Sequence, residues 1–237
     1  MKIISLNIER VSHLDRFLPY MSLAKPDVVF LQEVCLLSLS LISDRLKLPH
    51  VVFQPMTYHD FDSKSSQQGI AILSKVKFSE VDIVKLNQEQ SLLVNHTGGK
   101  EIANYYLLYA KVMTKNGREL TFCTSHFPVT KEGAFSLYQQ ETVLNVIKEL
   151  DKFKSFIFCA DTNAPRGGEN FSLLSNKYFD NIPNDCSTTI DQELHRVKGI
   201  KFVVDCLFTN MLIPTTVRLQ SGVSDHMAVE SEFDLEI

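Results

Sequence analysis

The chain has 237 residues, of which 44% are hydrophobic and 22% charged, an ordinary composition for a globular protein. Its formal net charge is -4, so it lacks the overall basic excess with which proteins usually grip long duplex DNA. No segment offers the roughly 18 apolar residues that a membrane helix needs, so we expect no membrane span. The apolar N-terminal stretch is broken by Asn7, Glu9 and Arg10, too early for a secretory signal.

The cysteines give no sign of a disulfide scaffold. They form no CxxC pair and number five, namely Cys35, Cys123, Cys159, Cys186 and Cys206. Three of them lie inside apolar runs, where cysteine behaves as a small hydrophobic residue. This usage favours a reducing compartment, and we expect the cytoplasm. A nucleophilic cysteine stays an alternative, although no cysteine has a histidine beside it in sequence.

The first part of the chain has a strand–helix–strand pattern, the usual way to begin a buried sheet. The predicted elements are a strand over 2–8, a helix over 12–24, a strand over 27–32, a helix over 36–46, a strand over 51–54 and a polar loop over 57–68. Ser12, with Asp15 three residues later, is the predicted N-cap of the first helix.

The rest of the chain mixes further strands with one long amphipathic helix over 135–150. The predicted strands cover 69–74, 80–86, 103–113, 120–125, 156–160, 202–208, 215–219 and 227–233, with a loop-rich stretch before residue 202. The apolar stripe of the helix consists of Val143, Leu144, Ile147 and Leu150. Asn116-Gly117 is a hairpin signal, so the middle strands pair antiparallel. The pattern predicts an α/β fold of two packed sheets flanked by helices.

Polar side chains stand at the ends of the predicted strands. Four apolar runs end in a carboxylate, a fifth ends in an amide and a sixth in an imidazole. The residues are Glu33, Asp161, Asp205, Asp225, Asn7 and His126, with His226 next to Asp225. Because open α/β sheets bind ligands at the carboxyl ends of their strands, we expect these residues to share one site.

The residue types at these ends suit a hard cation with acid and base groups beside it. Glu33 and Asp225, with Asn7 as a third candidate, offer the oxygen ligands that Mg²⁺ or Mn²⁺ prefers. Asp161 could deprotonate a water while Asn163, two residues on, orients it. Neither HExxH nor a Cys/His cluster is present, which disfavours zinc, and the absence of GxGxxG and GxxxxGK[ST] disfavours dinucleotide and P-loop chemistry.

Each of these residues also has a purely structural interpretation. Glu33 could cap a helix that starts at Val34, and Asp161 with Asn163 could form an Asx turn before Pro165. His126 could be a polar residue that merely ends a strand. We favour the functional interpretation only for the whole set, because its order along the chain is specific.

Seven segments carry that order, and together they resemble the endonuclease/exonuclease/phosphatase superfamily. The segments are SLNIE around Asn7, FLQEV around Glu33, GIAILSK from Gly69, TSHF around His126, ADTNAP around Asp161, VVDCLF around Asp205 and SDHMAV around Asp225. The LQE, DxN and SDH elements in this order are specific, whereas the Gly69 segment alone is weak. The resemblance covers nearly the whole chain and implies a single domain over 1–237.

The resemblance implies a four-layer α/β sandwich that hydrolyses phosphoester bonds with Mg²⁺, for which Mn²⁺ can substitute. By motif position, Glu33 is the main metal ligand, and Asn7 and Asp225 help to hold the metal or the substrate phosphate. We consider Arg166 and Arg196 as further contacts to a substrate phosphate, with ordinary loop charges as the alternative.

The same resemblance assigns catalytic roles. Asp161 activates or orients the attacking water, with Asn163 beside it. His126 contacts the phosphate or assists the leaving group. The pair of Asp205 and His226 stabilises the pentacovalent transition state.

Three departures from the family pattern leave the substrate and the partner of His126 open. DTN stands here for the usual DFN, as in the tyrosyl-DNA phosphodiesterase branch, and His126 stands where exonuclease III-like enzymes carry tyrosine. No acidic residue directly precedes Gly69 to pair with His126, so Asp60 and Asp62 are the candidates. We expect a monomeric phosphodiesterase or nuclease. The alternatives are hydrolysis of a small or lipid phosphoester and a catalytically silent binding domain.

Overall fold

The computed structural model describes residues 1–61, 64–87, 91–94, 100–213 and 215–237, with side chains for all of these except 58–61, 64–66, 91–94 and 100–103. Within them the helices are α1 (Leu14–Ala24), α2 (Leu36–Leu46), α3 (Leu137–Leu150) and α4 (Glu169–Ser175). The strands are β1 (Lys2–Asn7), β2 (Val28–Cys35), β3 (His50–Phe61), β4 (Lys64–Ser74), β5 (Glu80–Lys85), β6 (Ser91–Val94), β7 (Lys100–Ala103), β8 (Tyr106–Met113), β9 (Glu119–His126), β10 (Phe156–Asp161), β11 (Phe179–Asp180), β12 (Asp205–Thr209), β13 (Thr215–Gln220) and β14 (Ala228–Phe233).

Most of the strands form two six-stranded mixed sheets. The first sheet has the order β13-β14-β1-β2-β4-β3, and the second has the order β11-β12-β10-β9-β8-β5. Each sheet contains one parallel pair at its centre, β1 with β2 and β9 with β10, and its other pairs are antiparallel. Strands β6 and β7 form a separate pair. The predicted class, two mixed sheets flanked by helices, is confirmed.

The alternation of side chains along β1 shows how the layers are built. Ile3 faces the second sheet, whereas Ile4 and Leu6 face α1 and α2 in a separate cluster. Phe30 and Phe122 meet edge to face between the sheets, with ring centroids 5.9 Å apart. Helices α3 and α4 cover the outer face of the second sheet. In the part of the chain described, no helix is both long and apolar enough to cross a membrane.

Some element boundaries differ from those predicted. The prediction that Ser12 caps the first helix is wrong, because Ser12 donates its backbone N–H to Glu9 and the helix begins at Leu14. The predicted loop over 57–68 is wrong, because β3 and β4 pair through most of that stretch. Leu144 is 49% exposed and does not belong to the buried stripe of α3, which Val146 continues instead. The loop-rich stretch before residue 202 contains α4.

Gly69 lies where strands β3 and β4 approach too closely for a side chain. A Cβ at this position would sit 1.9 Å from the Gln54 carbonyl oxygen and 2.9 Å from the Pro55 Cα. Both are backbone atoms, so they cannot turn away. This contact explains the glycine that begins the GIAILSK segment.

We expect Gly69→Ala to lower the free energy of unfolding by about 3 kcal/mol or more, because the methyl group forces two paired strands apart. Gly117→Asn is the control: this hairpin glycine has a φ of 77° and open space around it, and asparagine tolerates that conformation. Urea unfolding measures both variants. A cost for Gly69→Ala no larger than that of Gly117→Asn would contradict the packing argument.

Candidate active site

The two parallel strand pairs bring residues that are distant in sequence to one edge of the sandwich. In the first sheet Asn7 lies opposite Gln32, and Glu33 follows directly. In the second sheet Asp161 lies opposite His126 on one side and opposite Asp205 on the other. The carboxyl ends of the central strands in both sheets therefore meet at this edge.

The carboxylate of Asp161 is at the centre of this edge and is 1% exposed. Its Oδ2 accepts a hydrogen bond from Asn7 Nδ2 at 3.0 Å. The same oxygen lies 3.5 Å from His126 Nε2 and 3.8 Å from His226 Nε2. One carboxylate oxygen thus has an amide donor and two imidazoles around it, a suitable arrangement for moving a proton.

Asn163 extends the site beyond the end of β10. Its backbone N–H donates to Asp161 Oδ1 at 2.9 Å, and its φ is 47°. The Asx turn of the structural interpretation is therefore present, but it engages only Oδ1. The Asn163 side chain donates from Nδ2 to the Phe127 carbonyl oxygen at 3.0 Å, which ties it to the end of β9.

Gln139 on helix α3 bonds to the segment after β9 and to the segment after β10. The sequence alone did not suggest this role. Gln139 Nε2 donates to the Pro128 carbonyl oxygen at 2.8 Å and to that of Asn163 at 3.1 Å. Its Oε1 accepts from Asn170 Nδ2 at 2.9 Å. A buried glutamine thus links the segments that follow His126 and Asp161.

His226 and Asp205 form the predicted pair. His226 Nδ1 lies 2.9 Å from Asp205 Oδ2, and the two residues are 7% and 4% exposed. Burial disfavours the imidazolium, but Asp205, Asp161 and Asp225 outweigh burial and raise the pKa of His226 well above its usual value. These carboxylates favour the protonated imidazole, whose Nε2 can donate.

Glu33 is held in an unusual backbone conformation with a φ of 55°, at an irregularity in the pairing of β2 with β4. Its Oε1 accepts from Asn7 Nδ2 at 3.3 Å, and its Oε2 accepts from Gln68 Nε2 at 3.0 Å. Thr57 in turn donates its hydroxyl to Gln68 Oε1 at 3.3 Å. Glu33 does not cap helix α2, which begins at Leu36 with Cys35 at its N-cap.

Asp225 adjoins a second acidic group that the sequence reasoning missed. Ligand atoms of Glu9, His13 and Asp225 all lie within 4.8 Å of one another. Burial raises the pKa of Asp225, His226 opposes this, and the charges of Glu9 and Glu33 raise it further. Glu33 and Asp225 thus lie close enough to repel each other. Glu9 stands two residues after Asn7, and this spacing was the signal that could have found it.

The donor set fits a hard divalent cation. Glu33 and Asp225 are carboxylates whose charges act on each other, and no ion pair among the described residues joins either of them to a lysine or arginine. Such oxygens suit Mg²⁺ or Mn²⁺, and a bound cation would relieve their repulsion. Asn7 lies between Glu33 and Asp161 and could join them through its carbonyl oxygen, which now accepts from the Glu9 backbone N–H at 3.1 Å.

The two arginines considered as substrate contacts differ in their surroundings. Arg166 donates from Nε to Asp180 Oδ2 at 2.9 Å and from its two terminal nitrogens to the carbonyl oxygens of Ile182 and Pro183. These bonds hold the segment 180–183 in place, so they favour a structural role for Arg166. Arg196 is half exposed, and its Nε lies 3.2 Å from Glu9 Oε1, at the rim of the site.

The structure does not describe the side chains of the two acidic residues that we proposed as partners of His126. Asp62 lies outside the described residues, and so does the side chain of Asp60. Among the described carboxylates, Asp161 Oδ2 lies 3.5 Å from His126 Nε2 and Glu33 Oε1 lies 4.0 Å from it.

Comparisons with known proteins identify the family of the chain. The sequence profile of the Endonuclease/Exonuclease/phosphatase family matches residues 4–226, so the chain belongs to that family. Tyrosyl-DNA phosphodiesterase 2 of Danio rerio is 26% identical over 220 residues, which cover 89% of this chain and 54% of that protein. The chain thus spans about half the length of that curated relative.

Solved structures share the fold at low sequence identity. An endonuclease/exonuclease/phosphatase family protein from Leptotrichia buccalis has a TM-score of 0.73 at 16% identity, with 99% of each chain covered. A mannosyl-6-phosphatase from Bacteroides thetaiotaomicron has a TM-score of 0.68 at 15% identity, with 98% of this chain and 99% of that one covered. Enzymes of the family hydrolyse phosphoesters and generally depend on a divalent metal.

We expect Gln68→Ala to weaken binding of Mn²⁺ about 10- to 100-fold, because partners that orient a metal ligand typically contribute that much. Glu33→Ala should abolish measurable binding with the fold retained, because it removes the ligand itself. Calorimetric titration measures both. Gln67→Ala is the matched control, since Gln67 points to the opposite face of β4. Equal loss in Gln67→Ala would show that Gln68 has no special role.

Proposed function

We propose that this protein is a divalent-metal-dependent phosphodiesterase that cleaves nucleic-acid phosphodiester bonds by in-line attack of water. The observation that carries the proposal is the environment of Asp161 Oδ2, with Asn7 Nδ2 at 3.0 Å and two imidazoles at 3.5 and 3.8 Å. Metal-assisted phosphoester hydrolysis requires a general base, a donor to the phosphate and oxygen ligands for the metal. Asp161, a protonated His226 and the cluster of carboxylates can supply these groups.

Each side chain has a distinct role in this scheme. Asp161 takes the proton of the attacking water, and the Asn7 amide holds the carboxylate in position. His226, kept protonated by Asp205, donates from Nε2 to a phosphoryl oxygen as negative charge develops there. His126 contacts the phosphate or the leaving group from the opposite side of Asp161.

Glu33, with Asn7 and Asp225, would hold the metal. When bound there, Mg²⁺ or Mn²⁺ supplies positive charge that neutralises the phosphate and the developing transition state. Gln68 supports this arrangement by fixing the second oxygen of Glu33.

The relative named as a tyrosyl-DNA phosphodiesterase supports a nucleic-acid substrate, as does the DTN sequence at Asp161 to Asn163. A small phosphoester is the second candidate. The net charge of -4 favours it, and a structural neighbour of nearly equal length is named as a mannosyl-6-phosphatase. We also propose a monomer in a reducing compartment such as the cytoplasm, in keeping with five free cysteines, four of them buried.

A panel of substrates in Mg²⁺ and in EDTA tests the function. It contains single-stranded, nicked and abasic DNA, RNA, bis(p-nitrophenyl) phosphate and inositol and sugar phosphates. We expect turnover of nucleic acid and of bis(p-nitrophenyl) phosphate in Mg²⁺ and none in EDTA. Full activity in EDTA would exclude the metal mechanism, and no turnover of any substrate would indicate a silent binding domain.

We expect Asp161→Asn and His226→Ala each to lower turnover about 10²–10⁴-fold, the usual contribution of a general base or acid. Because both serve one transition state, the double variant should lose much less than the product of the two effects. Steady-state kinetics on the best substrate give the three values. Fully multiplicative losses would place the residues in separate steps, and circular dichroism shows whether each variant is folded.

A further inference from the structure

A buried polar contact joins the two sheets beneath the site. Gln32 on β2 donates from Nε2 to Thr124 Oγ1 on β9 at 3.1 Å, and Ser5 Oγ lies 3.4 Å from the same nitrogen. We call the bond from Gln32 to Thr124 the amide bridge. Both of its residues are fully buried, and no described residue bonds to Gln32 Oε1. Because a partly bonded buried amide costs free energy, packing alone does not account for a glutamine at this position.

The amide bridge lies between the apolar core and the site. Side chains two residues apart on a strand face the same side of the sheet. Phe30 precedes Gln32 by two on β2, and on β9 Thr124 lies midway between Phe122 and His126. The rings of Phe30 and Phe122 meet in the core, and the amide bridge is the next contact along the same two strands. The first site residue on this face of β9, His126, follows directly after it.

The two ends of the amide bridge belong to the two halves of the proposed machinery. Glu33 follows Gln32 directly, and Asn7 lies opposite Gln32 in the pairing of β1 with β2. Both are proposed metal ligands, and both lie on the first sheet. Thr124 lies on β9, which pairs with the strand that ends in the proposed base, Asp161. The distance from the metal ligands to the base is therefore set by the separation of the sheets.

We propose that Gln32 is a positioning residue, which holds the metal ligands of the first sheet at a fixed distance from the catalytic base of the second. The inference rests on the proposed function and deepens it. The bond from Asn7 Nδ2 to Asp161 Oδ2, at 3.0 Å, spans the same gap and breaks if the gap widens. A misplacement of about 1 Å between reacting groups can lower a rate about 100-fold. A polar contact with no such role would affect stability alone.

Two variants remove the amide bridge from its two ends with little change in shape, namely Gln32→Met and Thr124→Val. Ser231→Ala is the control. Ser231 is also buried with a hydroxyl to which no described residue bonds, but it lies opposite Ile3, at the end of the first sheet away from Asn7. The measurements are kcat, the midpoint of urea unfolding and the affinity for Mn²⁺. NMR adds the rate at which the side-chain amide protons of Asn7 exchange with water, with Asn7→Ser to identify their signals.

We expect Gln32→Met to lower kcat about 10- to 100-fold, because the base and the metal ligands lose their alignment. The urea midpoint should stay the same or rise, because the variant removes a partly bonded buried amide. The affinity for Mn²⁺ should not change, because Glu33 and Asn7 keep their places on the first sheet. The Asn7 amide protons should exchange faster, because their bond to Asp161 loosens.

Thr124→Val should have the same effects as Gln32→Met. The double variant should lose no more activity than either single variant, because all three lack the same contact. Ser231→Ala should match the wild type in kcat, in Mn²⁺ affinity and in the exchange of the Asn7 amide protons.

The exchange measurement separates this inference from the proposed function. If the wild type turns over no substrate, the proposed function fails, and exchange at Asn7 still decides whether Gln32 positions the site. Unchanged exchange in both variants would overturn the positioning role, and so would faster exchange in an active enzyme with unchanged kcat. Faster exchange with a lower urea midpoint in both variants would indicate general loosening and would also overturn it. If Gln32→Met does not fold, Thr124→Val decides by the same measurements.

Discussion

A carboxylate that is 1% exposed must be satisfied by its neighbours, and for Asp161 those neighbours come from both sheets. Asn7 belongs to the first sheet, and His126 belongs to the second. His226 precedes β14 in the first sheet and bonds to Asp205 at the start of β12 in the second. The polar contacts that define the site are therefore also contacts that close the sandwich at this edge.

Much of the fold followed from hydrophobic pattern alone. Runs such as 28–32 and 156–160 are apolar throughout because they are central strands buried on both faces, and helix α2 matched its predicted bounds because leucines repeat along it. The ends of these runs also indicated where chemistry would lie. Asp161 ends β10 as predicted, because a polar group is tolerated where the apolar core stops. The prediction that Asp205 ends a strand is wrong: it begins β12, and it reaches the same edge because β12 runs antiparallel to β10.

Other features could not be predicted, because they depend on contacts between distant segments. The polar stretch after Met56 pairs as strands β3 and β4, since backbone pairing with a partner does not require apolar side chains. Gln68, Gln139 and Glu9 are ordinary polar residues in sequence and gain their roles only from the groups they meet in space. The surroundings of Arg166 and Arg196 could not be predicted either, because no local sequence pattern connects them with their partners Asp180 and Glu9.

The backbone at the site is itself unusual. Glu9, Glu33 and Asn163 all have positive φ, at 42°, 55° and 47°, a conformation that is uncommon for residues other than glycine. Such conformations persist only where surrounding bonds maintain them, as those to Asp161 Oδ1 and Arg10 do here. The site is thus held in shape by the protein before any ligand arrives.

The pairing of β1 with β14 has a consequence for biosynthesis. Lys2 lies opposite Glu232, and the bond from Asn7 to Asp161 joins residues 154 positions apart. Contacts between such distant segments close large loops and tend to form late in folding. On the ribosome, the central strand of the first sheet lacks one neighbour until the last strand has emerged. The polar contacts of His226, which precedes β14, can therefore form only late in synthesis.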